Sequence, residues 1–596
     1  MTASLSAAPG DVKASFDAPC KYPVGLASDG QRLFVADWRA AMIYAVSASD
    51  GTVSQSWPAP TPKPHSLTFG AGRLYVCDDH TGSVYALNLD SGIVENTFQA
   101  PASSATGLAY ADGALFILAK GSIYKVLPDD GTILASFPVP DDPCQCLAHD
   151  GRYLWVANRI KDELYLVAPD SGKVIGILAA PGPYPAGLAW LDGHLWNVDF
   201  QTRKIYKLAV RDDVMYRLSD TRRARVEYLW ALNNYGPGEV IDLTLNVALP
   251  MALPNQRLLT EPEFSVAPSQ SGRDRWGQGC AVFELGRVPP GTKAVLSYTL
   301  NAEISAIRYL ILPEETGTLE DIPAEIREPY TADGSHYRID SPYLEETVQR
   351  IVGDEKNPYW IARKLYDFVI ATLEYEMVGG WDVPEMVLKR GRGSCSEYTY
   401  TFVALCRAAG LPARYQGSVV VRGDDASIDE AFHRWAQVYL PHYGWVPVDA
   451  NRGDAKSPAD QARGLRRAEQ SLPDHHPRRR RFGVSRMGIQ QLRPLPCDGG
   501  LQGRGGQLRL LGTAGTVHGD IEHAQPPTRT MHRQGRMIGS PFTNGAWSTI
   551  ADHCGDGALE RTHPARTGTA HEQRRTSTAQ EPWHTCHVVK LLVAVA

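Results

Sequence analysis

The chain has 596 residues with 60 basic and 66 acidic side chains, a formal net charge of −6 and 43% hydrophobic residues. It is too long for a single core, and its mild acidity gives no electrostatic footprint for nucleic acid or an anionic membrane surface. The average hides a break: residues 1–464 carry 42 basic and 56 acidic groups, whereas 465–596 carry 18 and 10, and all 26 tyrosines precede the break while 10 of the 17 histidines follow it.

The opening residues, MTASLSAAPGDVK, show no positive start followed by an apolar stretch, so they do not read as a secretory signal. No apolar run is long enough to span a bilayer, the terminal VVKLLVAVA included. The expectation is a soluble, cytoplasmic protein with neither membrane nor nucleic acid as partner. Ten cysteines at irregular spacing argue against a disulfide framework, so each is read as a core residue or a nucleophile.

The first two hundred residues repeat. GLASDGQRLFVAD begins at Gly25, SLTFGAGRLYVCD at Ser66, GLAYADGALFILA at Gly107, CLAHDGRYLWVAN at Cys146 and GLAWLDGHLWNVD at Gly187. Leu26, Leu67, Leu108, Leu147 and Leu188 therefore recur at 41, 41, 39 and 41 residues. A second signature such as IYAVSASDGTV or VYALNLDSGIV follows in each unit, and alternating apolar strands with Asp-Gly and Ser-Gly turns give about four short strands per repeat. That is the arithmetic of propeller blades. The segment resembles the bacterial β-propellers of the YncE/NHL-like kind over residues 15–212, with five blades visible and a sixth left open. A propeller is a fold without an assigned chemistry, so it is read as a binding module of unknown ligand. Cys144, Cys146 and His149 look like metal ligands, but Cys146 fills the Gly/Ser slot of the repeat, and a structural reading is preferred.

After Asp212 the period stops. RVEYLWALNN, EVIDLTLNVALP, CAVFELGRV and KAVLSYTLNAEI are strand-like runs that predict a β-sandwich over 213–312. Helical periodicity begins near Ser341, with Asn357-Pro358 as N-cap and first-turn pair and Ile361, Leu365, Phe368 and Val369 as the apolar stripe.

Chemistry concentrates in GRGSCSEYTYTFVALCRAAGLPARYQG from Gly391 and FHRWAQVYLPHYGWVPVDAN from Phe432. Ser394 and Glu397 form an S-x-x-E capping box, which puts Cys395 in the first turn of a helix running to about Gly410, where the positive helix end favours thiolate. FHRWAQVYL and GWVPVDA read as adjacent antiparallel strands turning at His442–Gly444, a pairing that brings His433 beside Asp449. Nucleophile, general base and orienting carboxylate are thus all supplied. Cys406, at apolar spacing on the same helix, is read as core, and His442 as a turn residue.

In order, Gly393-Ser394-Cys395, Gly410-Leu411-Pro412-Ala413-Arg414, His433-Arg434-Trp435 and Gly444-Trp445 through Asp449 resemble the signature of the transglutaminase-like superfamily core over 345–455. The resemblance implies an α+β, papain-like catalytic domain, drawn here as 340–464, with Cys395, His433 and Asp449 as the triad. Arg434 departs from the family, whose bacterial members carry Ala there. The Cys395 backbone N–H is the first oxyanion donor, with Trp381, Ser394 and Trp435 as further oxyanion or site-lining candidates. The implied reaction is attack of the thiolate on a carboxamide or peptide carbonyl of a protein or peptide substrate. Resolution of the acyl-thioester by water makes a peptidase or amidase, and resolution by an amine makes a transglutaminase. No cofactor and no metal is called for, since no calcium-loop pattern is present. The rival reading is a non-catalytic propeller scaffold with a degenerate or truncated cysteine domain.

The tail, 465–596, is expected to be unstructured and out of frame. From Leu465, codons compatible with LRRAEQSLPDHH, read one nucleotide later, encode FGELSNRFLITT, and the shifted string continues with the tyrosines, acids and aromatics that the tail lacks. A single-nucleotide insertion or sequencing error near the Gly464 codon accounts for the break. The alternative is a genuine basic tail with Arg478–Arg481 as a solvated charge run. Zinc binding by Asp474, His475 and His476 ranks below both.

Overall fold

The structure is a computed structural model; it describes residues 7–465 apart from 213, 235–237, 275–276, 335, 378–381, 422–425 and 430–432, and beyond 465 only short strand backbones. The reading-frame question and the tail candidates Asp474, His475, His476 and Arg478–Arg481 lie outside the described residues.

The repeat forms a propeller of five four-stranded antiparallel sheets. Each blade begins with an inner strand, at Pro23–Ser28, Pro64–Gly70, Ala105–Ala111, Cys144–His149 and Pro185–Leu191, and each inner strand packs against the next until the fifth meets the first. The ring thus closes with five blades. The fifth blade is completed from the other end of the propeller sequence: Val12–Asp17 pairs antiparallel with Lys204–Leu208, joining the first strand to the last. Cys146 follows the repeat, since it sits at φ 48° where Gly25 sits at φ 60°. Cys144 and Cys146 are buried and directed at the carbonyls of Asp141 and Pro185, and among the described residues no His/Cys/Asp/Glu cluster could hold a metal.

A sandwich follows. The long strands Tyr216–Asn234 and Lys293–Tyr309 pair over most of their length, and Val240–Ala248 pairs with Gly279–Val288 in the facing sheet. Val226, Tyr228, Tyr298 and Leu300 from the first sheet meet Leu245, Val247 and Phe283 from the second, with the Tyr228 and Tyr298 rings 4.7 Å apart. This is the alternation of inward apolar residues that a two-sheet core requires.

The helical segment starts earlier than periodicity predicts. A helix at Ala324–Thr331, with Pro329 inside it, precedes Pro342–Val352 and Pro358–Thr372. Its proline and weak apolar pattern hide it from a reading of spacing. Asn357 caps the third of these helices by accepting from the Trp360 N–H at 3.1 Å.

Blade four and the helical segment share one core. Trp155, Leu164 and Leu178 of the blade pack in the same cluster as Leu310 and Ile311 of the connecting segment and Tyr359 and Leu365 of the helix. Polar contacts reinforce the seam: buried Arg363 donates to the Val174 carbonyl at 2.9 Å and to Asp367 at 2.8 Å, and Lys173 reaches Asp367 at 2.7 Å. Among the described residues no helix is long and apolar enough to cross a membrane.

Candidate active site

Cys395 is the first residue of the Cys395–Ala408 helix, whose N-cap is Ser394. The capping box is reciprocal: the Ser394 N–H donates to Glu397 Oε2 at 2.6 Å while the Ser394 side chain receives the N–H of Glu397. Glu397 is buried, and Arg390 pairs with its second oxygen at 2.6 Å. Gly393 permits this packing, because a Cβ there would lie 2.7 Å from the Glu397 Cβ. The glycine two residues before the thiol therefore has a steric reason: it lets the chain enter the helix against its own cap.

His433 opens the His433–Leu440 strand, which lies between Ala413–Val421 on one side and Gly444–Val448 on the other. The hairpin pairs Leu440 with Gly444 and Ala436 with Val448, and its turn contains His442 at φ 67°. One residue past the end of its strand, Asp449 meets His433: Oδ2 is 2.7 Å from His433 Nε2, and both side chains are buried. The second carboxylate oxygen accepts the Arg452 N–H at 3.0 Å, and the Asp449 N–H donates to the Gly464 carbonyl at 2.6 Å. A side chain at Gly464 would press on that same backbone, 2.5 Å from the Asp449 carbonyl oxygen. The carboxylate is thus fixed by the loop and helix that follow it.

With Nε2 committed to Asp449, Nδ1 is the ring nitrogen left for the thiol. It is buried and makes no hydrogen bond of strict geometry. The electrostatics nevertheless tie the groups together. Burial works against ionisation of Cys395, but His433 and Arg434 outweigh it and hold the thiol below its ordinary value. Burial likewise opposes charge on His433, yet the Asp449 carboxylate and the neighbouring sulfur raise the imidazole from 6.5 to about 10. Asp449 is lowered against its own burial, chiefly by His433. The three groups thus favour one another's charged forms, thiolate beside imidazolium beside carboxylate. Cys406 is the contrast within the same helix: fully buried, its thiol is pushed well above the ordinary value.

Of the other candidates, Ser394 acts through the cap just described. Trp435 lies two residues along the strand from His433, 3% exposed, with the rings 5.7 Å apart and its indole N–H without a hydrogen-bond partner. Trp381 lies outside the described residues.

Three further neighbours join these residues. The Arg434 guanidinium reaches the Cys395 sulfur and lies near Tyr415 and Tyr400. Tyr375 also feels the Cys395 charge. Ser418 pairs with His433 across the strands and keeps a buried hydroxyl without a partner. Arg434 had a visible signal, the charged residue between His and Trp; the other two had none, since strand register and helix placement bring them in.

Comparison with known proteins bears on one segment of the chain. Residues 345–450 match the model of the transglutaminase-like superfamily. An uncharacterised protein of Haemophilus influenzae is 30% identical over 171 residues, which cover 23% of this chain and 45% of the relative, so the match spans less than half of that protein's length. Among solved structures, a protein of Cytophaga hutchinsonii described as a candidate cysteine protease aligns with 50% of this chain and 94% of its own, at 16% identity and a TM-score of 0.33. Glutaminyl cyclase of Myxococcus xanthus aligns with 34% of this chain and 97% of its own, at 14% identity and a TM-score of 0.31.

Proposed function

Taking as premise that residues 345–450 form a transglutaminase-like domain, we propose that the chain is a cysteine acyl-transfer enzyme. Cys395 is the nucleophile, His433 the acid-base group and Asp449 the carboxylate that orients it. The observation that carries this reading is the 2.7 Å His433–Asp449 contact with the Cys395 thiol beside the same ring.

The thiolate attacks a carboxamide or peptide carbonyl, and the carbonyl π electrons move onto oxygen. The Cys395 N–H, at the open end of its helix, is placed to donate to that oxyanion. As the tetrahedral intermediate collapses, the C–N bond breaks and His433 gives its proton to the departing nitrogen, which leaves as ammonia or an amine. The product is an acyl-thioester on Cys395 with His433 neutral. Water or a second amine then attacks the thioester, His433 takes the proton from that nucleophile, and the thiolate departs. The propeller holds the substrate or partner, and the protein works in the cytoplasm.

The test is a glutamine-containing peptide incubated with the full chain, with and without a primary amine. An acyl adduct on Cys395 by mass spectrometry, with ammonia released, is the expected result; hydrolysis without amine incorporation assigns the peptidase or amidase branch. No adduct and no ammonia across a panel of glutamine peptides would sink the reading. The scaffold alternative draws on the composition break at 465, which follows the Asp449 loop closely, and it predicts that Cys395→Ala changes no activity of the chain.

A further inference from the structure

The propeller gathers its least repetitive residues at one end. Register pairs Pro23 with Asp37, Pro64 with Asp78, Ala105 with Ala119, Cys144 with Asn158 and Pro185 with Asp199. Residues just before each inner strand and just after each second strand therefore surround a common mouth. Just inside it the register of every inner strand slips, at Val24/Leu26, Pro64/Ser66, Ala105/Gly107, Gln145/Leu147 and Pro185/Gly187. Bulges of this kind re-aim side chains next to binding sites.

Part of the mouth is an aromatic floor ending in two cations. Tyr22 and Phe200 lie 6.4 Å apart and Phe200 and Tyr184 5.3 Å apart, so three rings from different loops run side by side. At one end the Arg39 guanidinium lies 5.5 Å from the Tyr22 ring and donates to its hydroxyl at 3.1 Å. At the other, Arg159 lies 5.2 Å from the Tyr184 ring and donates to that hydroxyl. Two of the acids nearby are turned inward, whereas Asp79 of blade two acts on His65. Asp37 accepts from the N–H groups of Arg39 and Ala40, and Asp199 from those of Tyr184 and Thr202. Arg39 and Arg159 are exposed, and among the described residues neither forms an ion pair. Across the mouth, His65 occupies the slipped position of blade two and is close enough to Arg159 of blade four to feel its charge; its Nδ1 is buried without a hydrogen-bond partner.

We propose that this mouth binds a carboxylate carried on a flat apolar group, the ring lying against Phe200 between Tyr22 and Tyr184 and the carboxylate meeting Arg39 at one end of the row or Arg159 at the other. Planar guanidiniums match a carboxylate with paired N–H bonds, and holding them over rings lowers the entropy lost when they bind. The Pro458–Gly464 helix touches the rim of the same mouth, with the Ala459 N–H on the Pro140 carbonyl at 2.9 Å and Asp460 3.6 Å from Lys161. The site therefore lies at the propeller end touched by the Pro458–Gly464 helix, opposite the end where Lys173 and Val174 meet Asp367 and Arg363.

The probe is N-acetylphenylalanine, titrated into the full chain by calorimetry, with N-acetylphenylalanine amide as the uncharged control. The acid binds at least about tenfold more tightly than the amide, as expected for charge-assisted hydrogen bonds. Arg39→Gln with Arg159→Gln removes that preference, Phe200→Ala weakens both ligands, and Cys395→Ala leaves binding unchanged even if the chain proves catalytically inert. A peptide ending in Phe that binds more tightly than the free acid assigns a peptide terminus as the source; equal affinity assigns a free aromatic acid. Equal binding of acid and amide, full affinity in the double Arg variant, or loss of binding in Cys395→Ala overturns the proposal.

Discussion

Replacing Asp449 by Asn separates the charge of the carboxylate from its shape. In the native site Oδ2 lies 2.7 Å from His433 Nε2, both residues are buried, and the imidazole is raised from 6.5 to about 10. Removing an opposite charge at this range lowers an imidazole by about 1–3 pH units, which makes its proton about 10- to 1000-fold easier to lose. Asn retains a hydrogen-bonding oxygen, so the folding cost is modest, about 1–2 kcal/mol. The chemical cost is larger, because the imidazolium beside Cys395 is then lost at about pH 7–9 instead of about 10. The assay is the rate of carbamidomethylation of Cys395 by iodoacetamide from pH 6 to 10, read by peptide mapping. The native protein reacts rapidly at pH 7 and changes little up to pH 9. The Asn variant is slower at pH 7, and its rate rises with pH toward the ordinary thiol value, about 8.5. Superimposable rate profiles refute the argument that Asp449 sustains the ion pair.

Arg434→Met removes the second cation beside the sulfur, and the Cys395 thiol pKa rises, with Lys at this position restoring part of the shift; an unchanged profile in rate against pH contradicts the contact. Gly393→Ala forces a Cβ to 2.7 Å from the Glu397 Cβ and disturbs the helix cap, lowering stability by about 1–2 kcal/mol in urea and slowing Cys395 labelling in parallel. Arg363→Met removes a buried cation from the Val174 carbonyl and leaves Asp367 to Lys173 alone at the seam between propeller and helical segment, at a cost of about 1.5–3 kcal/mol by denaturant unfolding; a change under about 0.5 kcal/mol shows that the seam rests on apolar packing alone. Resequencing the gene around the Gly464 codon is expected to find one extra base, and an uninterrupted frame ends the frameshift account.

The blades are legible because each writes the same two strands with the same turn. The strand that closes the ring is not. Val12–Asp17 is exposed at most positions and completes a blade whose other strands lie nearly two hundred residues away, so nothing local marks it. The helix of Cys395 is readable from its capping box, and the hairpin that brings His433 beside Asp449 from two apolar strands and a glycine turn. The apolar residues of Pro358–Thr372 announce a buried face but not its partner: pattern shows that Leu365 is covered, and only the assembled chain shows that it shares a core with Trp155 of blade four. Ser418 and Tyr375 join the site through strand register and helix placement, which residue spacing within either segment does not encode.

The central claim is that Cys395 is a nucleophile activated by His433, and competitive alkylation of the native chain addresses it most directly. Cys20, Cys280 and Cys395 are similarly part-exposed, but burial and Asp37 push the Cys20 thiol to about 12 whereas Cys395 is lowered. At pH 7 and limiting iodoacetamide, Cys395 is modified at least about tenfold faster than Cys20 and Cys280, and His433→Ala abolishes the difference. Equal labelling of the three cysteines, or a preference for Cys395 that survives His433→Ala, contradicts the account.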